Sequence, residues 1–154
     1  RTFYFQPILE RYGRLPYLTS FSNWGNYTVV SDTIKDMSSL TSLQSVWVNS
    51  YCIENIDIDG FSSRVTTIYY AFYYCRNLRY LNEMDKLVTS ACTNMYYAFY
   101  ECTCLKYIDC ANWDTTNVTR MDQLFGGCYN LYKADVSNWN VSKATVISGL
   151  FSGL

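Results

Sequence analysis

The residues best suited to chemistry in this sequence are seven cysteines and thirteen carboxylates, because histidine is absent. Histidine is the commonest general base and metal ligand, so its absence argues against an enzyme. Cys75, Cys102 and Cys128 lie far apart in the sequence, whereas zinc-binding cysteines come in closely spaced pairs. An odd number of cysteines also disfavours a closed set of disulfides. We therefore interpret these cysteines as small buried hydrophobic residues, with a disulfide or a metal site as the weaker alternative.

Two aspartates could form a catalytic pair. Asp109 and Asp135 are separated by the same interval as Cys102 and Cys128, and on neighbouring strands they would lie about 5 Å from each other. Paired carboxylates act as acid and base in glycosidases. Recurrence at the same place in successive repeats is better explained by a structural or surface role, so we predict no catalytic residues.

A calcium-binding loop is a second possibility. Asn55–Gly60 matches the first six positions of an EF-hand loop, with oxygen-bearing side chains at alternate positions and glycine at the sixth. The twelfth position is Thr66, where an EF-hand requires glutamate. Alternation also explains the segment as a strand in which Ile56 and Ile58 point inward. We predict neither a bound metal ion nor a cofactor.

Repeats of about 26 residues, a length typical of leucine-rich repeats, must position these side chains. One unit contains Met95, Phe99, Cys102, Leu105 and Ile108. The same pattern recurs one repeat later and one repeat earlier, at Met121, Phe125, Cys128, Leu131 and Ala134 and at Ile68, Phe72, Cys75, Leu78 and Leu81. In the first half of the chain, the equivalents of the leucine are predicted to be Leu15 and Leu43. The interval from Leu43 to Leu78 is then the longest in the series, which predicts an insertion near residues 49–60.

Each unit combines two periodicities. Met95, Ala98, Phe99 and Cys102 follow the i, i+3, i+4, i+7 spacing of a short helix, and Leu105-x-x-Ile108-x-Cys110 follows the strand signature of leucine-rich repeats. The predicted fold class is therefore an α/β repeat solenoid of the leucine-rich-repeat type. It has one short parallel β-strand and one short helix per repeat of about 26–28 residues. We expect a single array over residues 1–154, part of a longer protein, with units near 2–29, 30–64, 65–91, 92–117 and 118–143 and a partial unit at 144–154.

Two segments carry a resemblance to a known family. They are CTNMYYAFYECTCLKYIDCANWDTTN (residues 92–117) and NWDTTNVTRMDQLFGGCYNLYKADVSNWNVSKATVISGLFSGL (residues 112–154). Both resemble the BspA-like leucine-rich repeats of bacterial surface proteins, in the subtype W-D-T-S-x-V-x-x-M-x-x-M-F-x-x-C-x-x-L-x-x-L-D-L-S-x-W that occurs in mycoplasma lipoproteins and gut-bacterial surface proteins. Leu87 departs from it at the tryptophan position. The resemblance implies a surface-exposed adhesive or ligand-binding array.

The strand periodicity predicts which side chains leave the core on the sheet side. Aromatic and charged residues fill these positions, and tyrosine offers a large contact area at a low entropic cost. The predicted sheet-face ligand site comprises Tyr17, Trp47, Arg79, Tyr80, Lys106, Tyr107, Asp109, Tyr132 and Lys133. The predicted helical side carries a second group, which could form an interface, comprising Tyr69, Tyr70, Tyr73, Tyr96, Tyr97 and Tyr100.

The predicted function is a non-catalytic binding or adhesion module at the cell surface, with a protein or glycan as its ligand. The alternative is a structural or assembly segment of a larger surface or virion complex, which docks neighbouring subunits through the second group of tyrosines. A net charge of −1 gives no electrostatic case for nucleic acid. No apolar run is long enough to span a membrane, so we expect no membrane insertion by this segment.

Overall fold

The structure, a computed structural model of the chain, describes residues 31–35, 41–51, 53–59, 64–82 and 84–154. The predictions for Leu15, for Tyr17 and for the unit near residues 2–29 lie outside the described residues. So does Gly60 at the end of the calcium-loop motif.

Within the described residues, five short strands in two parallel sheets hold successive parts of the chain side by side. Strands β1 (Ser31–Lys35), β2 (Asn55–Asp59) and β3 (Tyr80–Leu81) form one sheet in this order. Strands β4 (Tyr107–Ile108) and β5 (Lys133–Ala134) form the other. A 3-10 helix (Met84–Lys86) follows β3. The Lys106 N–H donates to the Arg79 carbonyl (3.3 Å), which aligns β4 with β3.

Single parallel bridges connect the units at a second place. They join equivalent residues of successive units in one continuous row, formed by Ser42, Thr67, Asn94, Arg120 and Val146. Thr66, Thr93, Thr119 and Thr145 run beside this row. Each of these threonine hydroxyls donates to a backbone carbonyl of the preceding unit. Residues one repeat apart in the sequence are therefore hydrogen-bonded neighbours in the structure.

The segments in which the spacing predicted short helices are runs of turns, and the described part of the chain contains no α-helix. In one unit the N–H groups of Ala71 and Cys75 bond three residues back, to Ile68 and Phe72. The N–H groups of Ile68, Tyr70, Phe72 and Tyr74 bond instead to the next unit. Half of the backbone N–H groups in this segment therefore donate to the neighbouring unit and not within the segment, as they would in a helix.

Each unit contains two successive turns, and each turn places one residue in the left-handed region of backbone conformation. The third residue of each turn has φ between 54° and 85° in every described unit: Ser45, Asn49, Tyr70, Tyr74, Tyr97, Glu101, Gln123, Gly127, Gly149 and Gly153. Only glycine adopts this conformation freely. In the last two units glycine fills three of the four positions and Gln123 the fourth, whereas larger residues, three of them tyrosines, fill the positions in the earlier units.

We expect Gly127→Ala to lower the free energy of unfolding by about 1–2 kcal/mol, the cost of placing a side chain at positive φ. Gly127 has φ 73°, and an added Cβ would lie 2.8 Å from the Glu101 carboxylate. Urea unfolding followed by circular dichroism measures the loss. Glu101→Gly, one unit earlier with φ 58°, is the matched control and should be neutral or stabilising. A neutral Gly127→Ala variant would contradict this backbone geometry.

The core is a stack of aromatic rings that runs through the units. Trp47, Phe72, Phe99, Phe125 and Phe151 follow one another with ring centroids 4.7, 5.0, 5.4 and 5.5 Å apart. Phe99 and Phe125 are fully buried. Trp113 and Trp139 form a second, parallel pair at 6.0 Å.

The stacked cysteines beside this core are unbonded to one another, as predicted. Cys75, Cys102 and Cys128 are buried free thiols. Their Sγ atoms donate to the carbonyls of Trp47, Phe72 and Phe99, at 2.9–3.1 Å.

The register of the first half differs from the prediction. Leu43 and Trp47 donate to Thr67 and Ala71 of the next unit, just as Ile68 and Phe72 donate to Asn94 and Ala98 one unit later. Leu43 is therefore equivalent to Ile68, not to Leu78. The predicted insertion near residues 49–60 is wrong, because Asn55 and Ile56 of this segment pair with Tyr80 and Leu81, which follow them by 25 residues, the length of an ordinary repeat. Ile53 and Ile56 are buried there in place of leucines.

Candidate binding surfaces

The sheet side carries a row of tyrosines and basic residues, which we call the sheet-face strip: Arg79, Tyr80, Lys106, Tyr107, Tyr132 and Lys133. The Lys106 ammonium donates to the Tyr80 hydroxyl (3.2 Å) and lies 5.4 Å from the centre of its ring. The Tyr80 and Tyr107 rings are 6.3 Å apart on adjacent strands. The strip thus combines half-buried rings of fixed orientation with a cation held against one of them.

The rest of the strip is more exposed. Tyr132 and Lys133 continue it into β5, and Tyr132 is 73% exposed. Arg79 forms a surface ion pair with Glu54 (3.8 Å). Because such a pair is weak, Arg79 can exchange it for a ligand group.

Asp109 and Asp135 serve the turns that follow the strands. Asp109 accepts a hydrogen bond from the Ala111 N–H (3.4 Å), and Asp135 accepts one from the Ser137 N–H (3.0 Å) and one from its hydroxyl (2.7 Å). The hydrogen bonds from Ser137 lower the pKa of Asp135. Both contacts are Asx turns, which supports a structural reason for the recurrence of these aspartates.

The placement of Trp47 on the sheet face is wrong. Trp47 is 0% exposed and stacks on Phe72 at 4.7 Å, with the rings 6° from parallel. The error follows from the register, since Trp47 occupies the position of the core phenylalanines. Trp47 therefore stabilises the fold and cannot contact a ligand.

The turn side carries seven tyrosines in mutual contact, which we call the tyrosine surface: Tyr69, Tyr70, Tyr73, Tyr74, Tyr96, Tyr97 and Tyr100. Across the two units, three pairs of rings lie 5.5–5.6 Å apart: Tyr69 and Tyr96, Tyr70 and Tyr97, and Tyr73 and Tyr100. Within each unit, neighbouring rings lie 4.1–4.6 Å apart. All seven residues are half-buried.

Two arginines border the tyrosine surface. The Arg120 guanidinium lies 4.1 Å from the centre of the Tyr96 ring and forms an ion pair with Asp122 (3.1 Å). The Arg76 guanidinium lies 4.7 Å from the Tyr74 ring and pairs with Glu101 (3.5 Å). Repeat spacing did not predict these two arginines, because it gives no sign of which charged side chains fold back over a ring.

Four of the hydroxyls in the tyrosine surface have a raised pKa and stay protonated at physiological pH. Burial raises the pKa of Tyr73 to about 12 and that of Tyr70 well above its ordinary value, and neighbouring tyrosine hydroxyls add to both shifts. Burial also raises the pKa of Tyr97 and that of Tyr100. The surface therefore offers neutral groups that both donate and accept hydrogen bonds.

Within the described ranges, no group of three or more cysteine, aspartate or glutamate side chains is arranged to hold a metal ion. A search of the same residues found no helix with the length and apolar character needed to cross a membrane.

A family model described as "Mycoplasma protein of unknown function, DUF285" matches residues 66–154. The matched segment contains the tyrosine surface, the strip from Arg79 to Lys133 and the core from Ile68 to Phe151. No curated protein and no solved structure matches the chain.

Proposed function

This chain belongs to the family of mycoplasma proteins described as DUF285, whose function is unknown, and we propose that it is a non-catalytic binding module of a surface-exposed protein. Its ligand is a protein or a glycan, and the sheet-face strip binds it. The array is a solenoid of the leucine-rich-repeat type, and its place is outside the cell. The resemblance to BspA-like surface repeats supports this assignment.

The observation that carries the proposal is the contact of Lys106 with Tyr80, beside Tyr107. These side chains lie outside the buried core, yet a hydrogen bond and a ring contact fix their orientation. Binding energy concentrates in aromatic and cationic anchors near the centre of an interface. An anchor that is ordered before binding loses less entropy on contact with its ligand.

The strip lies over buried residues of the core, and its own side chains are not needed to fill that core. Leu81, Leu105 and Ile108 are buried beneath it and hold the strands in place, while Tyr80 and Tyr107 point away from them. Aromatic residues suit an open sheet face for reasons of strand propensity as well. Binding and propensity therefore have to be separated by experiment.

We expect Tyr80→Ala combined with Tyr107→Ala to abolish binding of the fluorescently labelled chain to intact animal epithelial cells, because both central anchors are lost. The double variant Tyr70→Ala with Tyr97→Ala, on the opposite side, is the control and should bind as the unchanged chain does. Flow cytometry measures binding, and circular dichroism establishes that both variants are folded.

The opposite result would overturn the assignment to the sheet face. If the Tyr70 and Tyr97 variant loses cell binding and the Tyr80 and Tyr107 variant keeps it, the tyrosine surface is the one that acts. Failure of the unchanged chain to bind any cell type before or after protease treatment of the cells would reject a cell-surface ligand altogether.

A further inference from the structure

The tyrosine surface contains bulky residues at backbone positions that favour glycine. Tyr70, Tyr74 and Tyr97 have φ values of 54°, 60° and 55°. Gly149 occupies the position of Tyr70 and Tyr97 in a later unit, and Gly127 occupies that of Tyr74. A left-handed tyrosine costs free energy that glycine does not. Backbone strain of this kind is concentrated at functional sites.

The rings form a rigid surface. Each tyrosine contacts at least one other at 4.1–4.6 Å within its own unit. Three pairs lie 5.5–5.6 Å apart between units, and two of these pairs are stacked. Because the rings already restrict one another, little side-chain entropy is left to lose when a ligand binds.

The charges at the border favour an uncharged ligand. Arg76 is paired with Glu101, and Arg120 is paired with Asp122, so each cation has an anion beside it. The hydroxyls between them are neutral. A nucleic acid or a sulfated glycan requires a surplus of cations, which this surface does not offer.

The spacing of the rows favours a polymer with a regular repeat. Tyr69, Tyr70 and Tyr73 are each followed by an equivalent ring 5.5–5.6 Å along the array. This step is close to the length of one sugar ring in an extended polysaccharide. A sugar chain that lies along the rows meets a hydroxyl able to donate and accept at each step, together with apolar ring edges.

We propose that the tyrosine surface is a second binding site, separate from the sheet-face strip, and that its ligand is a neutral polysaccharide. Tyr70 and Tyr97 lie at its centre, and each contacts tyrosine rings of both units. This site does not depend on the function proposed for the strip, so either can fail alone.

The test is affinity electrophoresis of the whole chain through gels that contain soluble amylose, laminarin or chitohexaose, with heparin as the charged comparison. We expect at least one neutral glycan to retard the chain and heparin not to. Tyr70→Gly combined with Tyr97→Gly should weaken the retardation at least tenfold. Since glycine suits both backbone positions, this variant should remain folded, which thermal unfolding verifies.

Two further variants complete the design. Tyr51→Ala is the matched control, at an exposed tyrosine that belongs to neither surface, and it should be retarded like the unchanged chain. Tyr70→Phe with Tyr97→Phe keeps both rings and removes only the hydroxyls. We expect it to weaken binding severalfold, and it tests the site even if the glycine variant does not fold.

Four results would overturn the proposal. The first is no retardation by any neutral glycan, and the second is retardation by heparin alone. The third is equal retardation of the unchanged chain, the Tyr70→Gly with Tyr97→Gly variant and the Tyr70→Phe with Tyr97→Phe variant. The fourth is that the glycine variant loses a dimer and keeps glycan binding. The last result, seen by analytical ultracentrifugation, would identify the tyrosine surface as an assembly interface.

Discussion

Phe99→Ala should lower the free energy of unfolding by about 3–5 kcal/mol, the range for removal of a large buried ring. The Phe99 side chain is fully buried. It stacks between Phe72 and Phe125, at 5.0 and 5.4 Å, and its carbonyl accepts the hydrogen bond of the Cys128 thiol. Its loss would leave a cavity in the middle of the stack that units on both sides share. Urea unfolding of the whole chain, followed by circular dichroism, measures the change.

Phe151→Ala is the matched control, because this ring belongs to the same stack but has only Phe125 as its stacking neighbour among the described residues. Phe151 is half-buried, so its loss should cost less than about 2 kcal/mol. A loss below about 1 kcal/mol for Phe99 is the size of an ordinary surface substitution. Such a value would show that Phe99 lies outside the core.

The core of the second half was predictable because the equivalent position is buried in each unit. Phe72, Phe99 and Phe125 recur once per repeat, and each becomes one ring of the stack. The absence of bridges among Cys75, Cys102 and Cys128 was predictable for the same reason. Residues that recur at one position of a stacked repeat are placed to fill that position in each unit.

The type of local structure was harder to predict, because two successive turns give the same apolar spacing as a helix. The first and fourth residues of each turn face the core, as Met95, Ala98, Phe99 and Cys102 do. The sequence contained one signal against helices. Gly127, Gly149 and Gly153 lie inside the segments that the spacing predicted to be helices, where glycine weakens a helix and suits a left-handed turn residue.

The error at Trp47 arose from anchoring the first half on leucine. In that unit Ile53 takes the position of Leu78, and Ser50 takes that of Cys75. Ser50 is buried, and its hydroxyl donates to the Trp47 carbonyl (2.7 Å). The cysteine and leucine positions identify the register in the other units, and here they hold serine and isoleucine, so the register of this unit was assigned wrongly. The fully buried tryptophan was then assigned to the open face.

The two surfaces were predictable as groups of residues but not as sites. Spacing alone places Tyr80 above Tyr107 and Tyr69 above Tyr96. The contact of Lys106 with Tyr80 and the position of Arg120 over Tyr96 depend on side-chain rotamers. Rotamers follow from packing, and a single sequence does not encode them in its periodicity.

The chain should unfold cooperatively between about pH 10 and 11, because five buried thiols are neutral in the folded state. Burial raises the pKa of Cys75, Cys110 and Cys128 to about 12 and that of Cys92 to about 11, and it raises the pKa of Cys102 well above its ordinary value. In the unfolded chain these thiols ionise near the ordinary value of 9.0. The folded state then binds more protons than the unfolded state, so stability is fully present below pH 9 and falls as the pH rises.

Each buried thiol should remove about 1.4 kcal/mol per pH unit within this window, and five together about 7 kcal/mol per unit. Far-UV circular dichroism at increasing pH under reducing conditions, with return to neutral pH as the test of reversibility, measures the transition.

Cys92→Val removes one thiol at a position that Val65 and Val118 fill in other units, both fully buried. It should therefore reduce the slope by about 1.4 kcal/mol per pH unit and move the midpoint to higher pH. Cys104→Ser is the control for cysteine substitution, because Cys104 is half-exposed and lies outside the buried core. A chain that keeps its spectrum through pH 11, or a Cys92→Val curve with the original slope, would mean that the thiols ionise without unfolding and are not enclosed by the core.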